Sequence, residues 1–153
     1  MERNVSLNRL KQWCWHLLGL ACLIWSMLAW AAEPQLVLVA GGASPLQEIS
    51  PEQARRLYLG IPAVLHGHEI TPLRNLSDRT IQEVFLQRVL YMSAQAYERQ
   101  MAARIFRGGG NELRSYDTLK QLSEALGRDP WAISYMSADT AAHLPDIKIL
   151  GGL

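Results

Sequence analysis

The sequence predicts an α/β fold in which a small mixed or parallel sheet is flanked by helices. The first observation is a short, continuous apolar run at residues 36–40, which ends at Gly41 and Gly42 and is typical of a buried strand. The second is that strand-like segments alternate with segments whose apolar residues recur at helical spacing. The third is that no internal repeat or low-complexity tract follows residue 32, which favours one domain.

The N-terminal segment differs in character from the rest of the chain. Residues 1–11 carry three basic side chains and one acidic side chain, and residues 12–32 carry no formal charge. Ala29 and Ala31 are small residues at the two positions that a signal peptidase reads. We therefore expect a signal peptide over 1–31, cleaved after Ala31, and an exported, periplasmic domain over 32–153. A retained membrane anchor is the alternative, and it leaves the domain on the same side.

Residues 32–153 differ in composition from the whole chain. Because the leader holds three of the 15 basic and one of the 14 acidic residues, the formal net charge falls from +1 to −1. Both cysteines, Cys14 and Cys22, lie in the leader, which excludes disulfides, thiol nucleophiles and cysteine-ligated zinc from the exported domain. A charge this close to zero predicts no nucleic-acid partner.

Helix starts are marked by capping residues. Ser50 and Gln53 fit a capping box with Pro51 in the first turn, so we expect a helix that runs to about Leu59 and stops at Gly60. Further elements are predicted by turn residues and apolar spacing. They are a turn at 66–68, an extended segment at 70–73, a helix from Ser77-Asp78 with Ile81, Val84, Phe85 and Val89 on one face, a helix capped by Ser93 with apolar residues at 97, 101 and 105, a break at 107–111, a helix from Ser115 or Asp117 to Gly127, a strand at 131–136, a helical turn at 138–142 and a last strand at 146–150.

The order of these segments resembles a known family. Residues 50–60 (SPEQARRLYLG) resemble the L-S-x-E-Q-L-x-x-I-F-L-G stretch of phosphate-binding proteins from ABC transporters, and residues 130–135 (PWAISY) resemble the family's P-G-A-I-G-Y strand. Residues 77–85, 91–93 and 105–109 continue the match in the right order. The resemblance implies a periplasmic binding-protein-like fold. Since full receptors of this family have two lobes, it implies a single lobe here.

The strongest candidate for a binding site is formed by Ser77, Asp78, Arg79 and Thr80. A helix start offers unpaired N–H groups and the positive end of the helix dipole, and so suits an anion. Ser77 and Thr80 are expected to donate hydroxyls and Arg79 to pair with two oxygens, while Asp78 accepts a proton from monoprotonated phosphate. The alternative is that Ser77 only caps the helix and Asp78 complements its dipole. The run also departs from the family pattern, because Arg79 occupies its serine position and Gln82 its arginine position.

Other motifs favour ordinary structural roles. The glycine-rich run at 107–111 lacks the Lys-Ser/Thr and the preceding strand of a nucleotide-binding loop. His66 and His68 fit a solvated turn rather than a metal site, and Arg55-Arg56 fits a solvated helix face. No catalytic elbow or zincin motif is present, and no specific acid–base pair can be placed at a helical spacing. We therefore expect no enzyme activity, no cofactor and no metal.

The function predicted from these patterns is that of an exported solute-binding-like protein. It is expected to bind phosphate or a related small oxyanion at a helix N-terminus, with a membrane permease or sensor protein as a possible partner. The alternative is a ligand-free interaction or sensory accessory module of the cell envelope. Contact with the membrane is expected only if the leader is retained.

Cleavage of the leader is directly testable. Protein recovered from the periplasm should begin at Ala32, because Ala29 and Ala31 satisfy the signal peptidase. N-terminal sequencing together with the intact mass measures this. A protein that still begins at Met1 would point to the membrane anchor instead.

Overall fold

A computed structural model describes residues 34–108 and 112–153; the expected signal peptide lies outside the described residues. The elements follow one another in chain order. They are β1 (Leu36–Gly41), α1 (Pro51–Tyr58), β2 (Val64–Leu65), β3 (His68–Glu69), β4 (Thr71–Pro72), β5 (Arg74–Asn75), α2 (Arg79–Phe85), a π-helix (Leu86–Leu90), α3 (Ala94–Phe106), β6 (Ser115–Tyr116), α4 (Leu119–Arg128), β7 (Ala132–Ser137), α5 (Ala138–His143) and β8 (Ile147–Gly152).

The main sheet has four strands in the order β4-β7-β1-β8. Strand β1 is antiparallel to both β7 and β8, whereas β4 is parallel to β7, so the sheet is mixed. Side chains of β1 alternate between the two faces: Leu36, Leu38 and Ala40 join one apolar cluster, and Val37 and Val39 join the other. Both faces are therefore covered, which explains the continuous apolar run. The predicted α/β class, with a small mixed sheet flanked by helices, is confirmed.

Helix α1 begins as its capping box predicts. Gln53 N–H donates to Ser50 Oγ at 3.2 Å, and Ser50 N–H donates to Gln53 Oε1 at 2.9 Å. The chain leaves the helix at Gly60, which has a φ of +78°. This positive φ favours glycine, and a Cβ atom here would lie 2.8 Å from Arg104 Nε, so the Arg104 side chain would also have to shift.

The helix predicted from residue 77 starts one residue later and changes its winding. Asp78, not Ser77, is the N-cap, and its carboxylate accepts from Ile81 N–H at 3.1 Å. After Phe85 the chain widens into the π-helix, and Tyr91 ends it in the left-handed region at a φ of +57°. The wider turn buries Leu86 and Leu90 together with Val89, which a regular α-helix pattern did not predict.

Two further expectations were wrong. Ser115 and Tyr116 form β6, which pairs in parallel with β5, so Ser115 does not start a helix. Asp117 does not start one either, because Thr118 is the N-cap of α4: its side chain accepts a hydrogen bond from Gln121 N–H. Helix α4 was expected to end at Gly127, but it runs to Arg128. In α3, Tyr97 is buried and Ile105 is 43% exposed.

The core contains an aromatic cluster on one face of the sheet. The rings of Phe85 and Tyr135 stack with centroids 3.9 Å apart, and Tyr58 meets Phe85 edge-on at 4.7 Å. Tyr58 hydroxyl donates to Leu73 carbonyl at 2.9 Å, and Tyr97 hydroxyl donates to Tyr58 carbonyl at 3.0 Å. Burial raises the pKa of Tyr97 to about 12 and the pKa of Tyr58 well above its usual value. Both phenols therefore act as neutral donors inside the core.

The hydroxyl of Tyr58 should contribute measurably to stability. Replacing it in Tyr58→Phe keeps the ring packing but removes one buried hydrogen bond, so the free energy of unfolding should fall by about 1 kcal/mol. Urea denaturation measures the change. Tyr91→Phe is the matched control. Because Tyr91 is 73% exposed, the free energy of unfolding of this variant should fall by no more than about 0.5 kcal/mol. Equal losses in both variants would contradict the assigned bond.

Candidate functional site

The candidate site lies where two parallel runs of chain end. Residues 71–75 run alongside β7: Thr71 N–H donates to Trp131 carbonyl, and Leu73 N–H donates to Ile133 carbonyl. At the carboxyl end of this run the chain enters α2, and at the carboxyl end of β7 it enters α5. In α/β sheets, ligands bind in the crevice outside the carboxyl ends of such strands.

A surface depression of about 330 Å³ occupies this position. Its polar lining comes from the starts of α2 and α5, and its apolar lining comes from the neighbouring helix and strand positions. The lining residues are Asn75, Ser77, Asp78, Arg79, Ile81, Leu119, Met136, Ser137 and Thr140. Three of the four predicted site residues are therefore brought together. Thr80 is exposed and does not line the depression.

The charged pair at the start of α2 already has partners. Asp78 carboxylate accepts from Ile81 N–H, so it serves as the N-cap. Arg79 Nε donates to Glu83 Oε1 at 3.0 Å, one helical turn further along, and the Arg79 side chain is 89% exposed. An ion pair this exposed is weak, so the Arg79 guanidinium can exchange Glu83 for another anion at little cost.

Asn75 is the buried polar residue that sequence reasoning missed. Its Nδ2 donates to Tyr135 carbonyl at 3.0 Å, and its Oδ1 accepts from Ser77 N–H at 3.0 Å. A carbonyl on one side and an N–H on the other fix the orientation of the amide. Tyr135 hydroxyl donates back to Asn75 carbonyl at 3.1 Å. In a sequence, an asparagine just before a helix start is typical of a turn, so nothing in the sequence indicated that Asn75 is buried.

The fixed amide of Asn75 determines what Ser77 presents to the depression. Ser77 Oγ donates its hydrogen to Asn75 Oδ1 at 2.6 Å, so its remaining lone pairs are acceptors. On the opposite side, Ser137 Oγ accepts from Thr140 N–H and shares a hydrogen with Thr140 Oγ1 at 2.7 Å. The two hydroxyl groups carry two hydrogens, and the bond between them uses only one. The depression thus combines acceptors at Ser77 and Asp78 with donors at Arg79 and the Ser137–Thr140 pair.

The other motifs lie away from this depression. His66 and Gly67 form the turn of the β2–β3 hairpin, with φ values of +51° and +83°, and the His68 ring stacks on Trp131 with centroids 4.4 Å apart. The Arg55 guanidinium lies 5.1 Å from the centre of the Tyr91 ring. In the described part of the chain, no three His, Cys, Asp or Glu side chains cluster as metal ligands, and no helix has the length and apolar character needed to cross a membrane.

No protein-family profile and no curated protein sequence matches the chain. In fold it is similar to an ABC-type phosphate transport receptor from Vibrio cholerae, with 10% identity, a TM-score of 0.48, and coverage of 76% of this chain and 45% of that one. It is also similar to a protein assigned as a phosphate ABC transporter substrate-binding protein, with bound phosphate, from Clostridium perfringens, at 12% identity, a TM-score of 0.51 and coverage of 76% and 44%.

A third similar structure is that of a possible phosphate binding protein from Planctomyces limnophilus DSM 3776, at 8% identity, a TM-score of 0.52 and coverage of 76% and 40%. The likeness confirms the expected periplasmic binding-protein-like fold. The chain spans less than half the length of each of these proteins.

The orientation of the Asn75 amide is testable by an isosteric change. In Asn75→Asp a buried carboxylate oxygen would face Tyr135 carbonyl, so the free energy of unfolding should fall by about 2 kcal/mol or more at neutral pH. Burial should raise the pKa of the introduced carboxyl above the unfolded value of about 3.9. Stability should therefore be highest below that value and decline as the pH rises through the folded pKa.

Urea unfolding at neutral pH and at about pH 4 measures both effects. Ser77→Ala is the control, because it removes only a partly buried hydroxyl and adds no titrating group. If Asn75→Asp behaves like Ser77→Ala at both pH values, the assignment of the amide is wrong.

Proposed function

We propose that the domain is a single-lobe, non-catalytic solute-binding protein that takes phosphate or a related small oxyanion at the depression between α2 and α5. The observation that carries the proposal is the position of this depression, at the carboxyl ends of parallel strands in a fold similar to that of phosphate receptors. The depression also combines hydroxyl groups with an exposed cation, as recognition of an oxyanion requires.

In this proposal each lining residue has a separate task. Arg79 leaves Glu83 and supplies the counter-charge, and the unused hydroxyl hydrogen of the Ser137–Thr140 pair donates to a ligand oxygen. Ser77 and Asp78 offer only acceptors, so they suit a ligand that carries its own proton, such as monohydrogen phosphate. Thr80, at the same helix start, contributes its N–H group to the positive end of the helix rather than its hydroxyl.

Binding at such a site should be weak and sensitive to salt. Sites for small molecules usually enclose most of the ligand, whereas Asp78 and Arg79 here lie at the open surface of the depression. A charge contact in water is also screened within about 10 Å at moderate ionic strength. Export to the periplasm, and delivery of the ligand to a membrane permease or sensor protein, belong to the same proposal.

A titration of phosphate into the exported protein tests the proposal. Calorimetry at low salt should give a dissociation constant of about 1 mM, and added salt should weaken it. Arg79→Ala should reduce the affinity several-fold because the counter-charge is lost. Arg128→Ala is a closely matched control: Arg128 is also exposed and pairs with a glutamate four residues away, Glu124, at 3.1 Å.

Sulfate and an organic phosphate extend the same experiment. Sulfate lacks a proton at neutral pH, so it should bind more weakly than phosphate. The proposal fails if no ligand gives heat at millimolar concentration, or if Arg79→Ala and Arg128→Ala lower the affinity for phosphate equally.

A second candidate, an interaction module without a small ligand, is favoured by two exposed aromatic side chains. Phe106 at the end of α3 is 91% exposed. Tyr91 is also exposed, and its backbone has a left-handed conformation. Side chains of this kind are common at protein interfaces. A stable partner that is captured by the normal protein and by Arg79→Ala, but not by Phe106→Ser, would favour this function over oxyanion binding.

A further inference from the structure

A second cavity lies at the opposite end of the strand run from the depression. It is a groove of about 590 Å³ between the loop after α1, the edge strand β4 and residues 112–114. Half of its lining residues are apolar and form one wall, namely Leu57, Ile61, Pro62, Ile70, Pro72 and Leu113. A volume of this size with an apolar wall suits a small organic ligand.

Arg104 supplies a guanidinium group to the lining of this groove. Arg104 lines both the groove and an adjoining cavity of about 150 Å³. Its terminal nitrogens donate to the carbonyls of Leu59, at 3.3 Å, and of Gly60. These carbonyls hold the guanidinium in place without neutralising it, and the remaining N–H groups are not used by them.

The other arginines at these cavities are paired with carboxylates. Arg74 pairs with Glu98 and lies over the Tyr97 ring at 5.0 Å, and Arg114 pairs with Asp129 at 3.7 Å. Among the described residues that line the groove, Arg104 is therefore the arginine with no carboxylate partner. A ligand carboxylate fits its planar fork, and such charge-assisted bonds are strong.

Two carboxylates limit the charge that a ligand can carry. Glu69 and Glu112 also line the groove, and both residues are exposed. A second negative charge on the ligand would be repelled by them. An apolar body with one terminal carboxylate matches the apolar wall, the cation and the two carboxylates together.

We propose that this groove binds an aliphatic or aromatic monocarboxylate, with the carboxylate on Arg104 and the apolar body against the groove walls. The site is separate from the proposed oxyanion site, and neither proposal depends on the other. Phosphate should therefore not compete with the carboxylate.

Octanoate is a suitable probe, with octan-1-ol and the dicarboxylate suberate as matched ligands. Titrated into the exported protein at neutral pH and followed by NMR chemical shifts, octanoate should bind saturably at millimolar concentration. Octan-1-ol lacks the charge and suberate adds a second charge, so each should bind about tenfold more weakly. Equal binding of octan-1-ol would mean that the groove is only an apolar docking surface and would overturn the proposal, as would equal binding of suberate or no saturable shift with octanoate.

Variants of the protein test the assigned cation. Arg104→Gln should reduce octanoate affinity about tenfold, and Arg104→Lys should reduce it less, because it keeps the charge but loses the fork. Arg107→Gln is the matched control at the same end of α3: Arg107 is exposed and donates to Ala103 carbonyl, and it does not line the groove. Unchanged octanoate binding by a folded Arg104→Gln would overturn the proposal. If that variant fails to fold, the comparison of the three ligands still decides the outcome.

Discussion

The position of residues 73–75 depends on hydrogen bonds from buried side chains in addition to those of the main chain. Strand β4 pairs with β7 over only two residues, Thr71 and Pro72. Beyond them, the hydroxyls of Tyr58 and Ser134 both donate to Leu73 carbonyl, and Asn75 and Tyr135 exchange bonds between side chain and main chain. Because buried main-chain groups need partners, these four side chains hold the run against β7 together with the bond from Leu73 N–H to Ile133 carbonyl. The start of α2, and with it the depression, is placed by them.

The same run of chain also separates the two cavities. Its amino end, at Thr71 and Pro72, forms part of the groove, and its carboxyl end, at Asn75, forms part of the depression. Pro72 has no N–H group, so the outer edge of β4 cannot pair with a further strand at that position. The edge is thereby left as a wall of the groove.

The sequence was informative where a pattern had a strong local cause. The apolar run of β1, the capping box of α1 and the turn at His66-Gly67 each rest on the chemistry of a few adjacent residues, and the structure has all three. Strands of two residues, such as β5 and β6, have no periodicity to detect. The π-helix keeps apolar residues close together, so its widened turn has no distinct signature. Three candidate residues met in one depression, but the role of Asn75 depends on Tyr135, which is distant in sequence.

Helix α2 is held without any ligand, and this affects how the depression can work. Asp78 caps the first turn, Ile81 and Phe85 are buried in the core, and Asn75 fixes Ser77. Asn75, Ser77 and Asp78 are thus positioned before a ligand arrives, so binding would not require folding of the helix start. Preorganisation of this kind lowers the entropy cost of binding, whereas the exposure of Arg79 weakens the ion pair that it can form with a ligand. In the proposed function, the affinity of the depression would therefore be limited by solvent at its open side rather than by disorder within it.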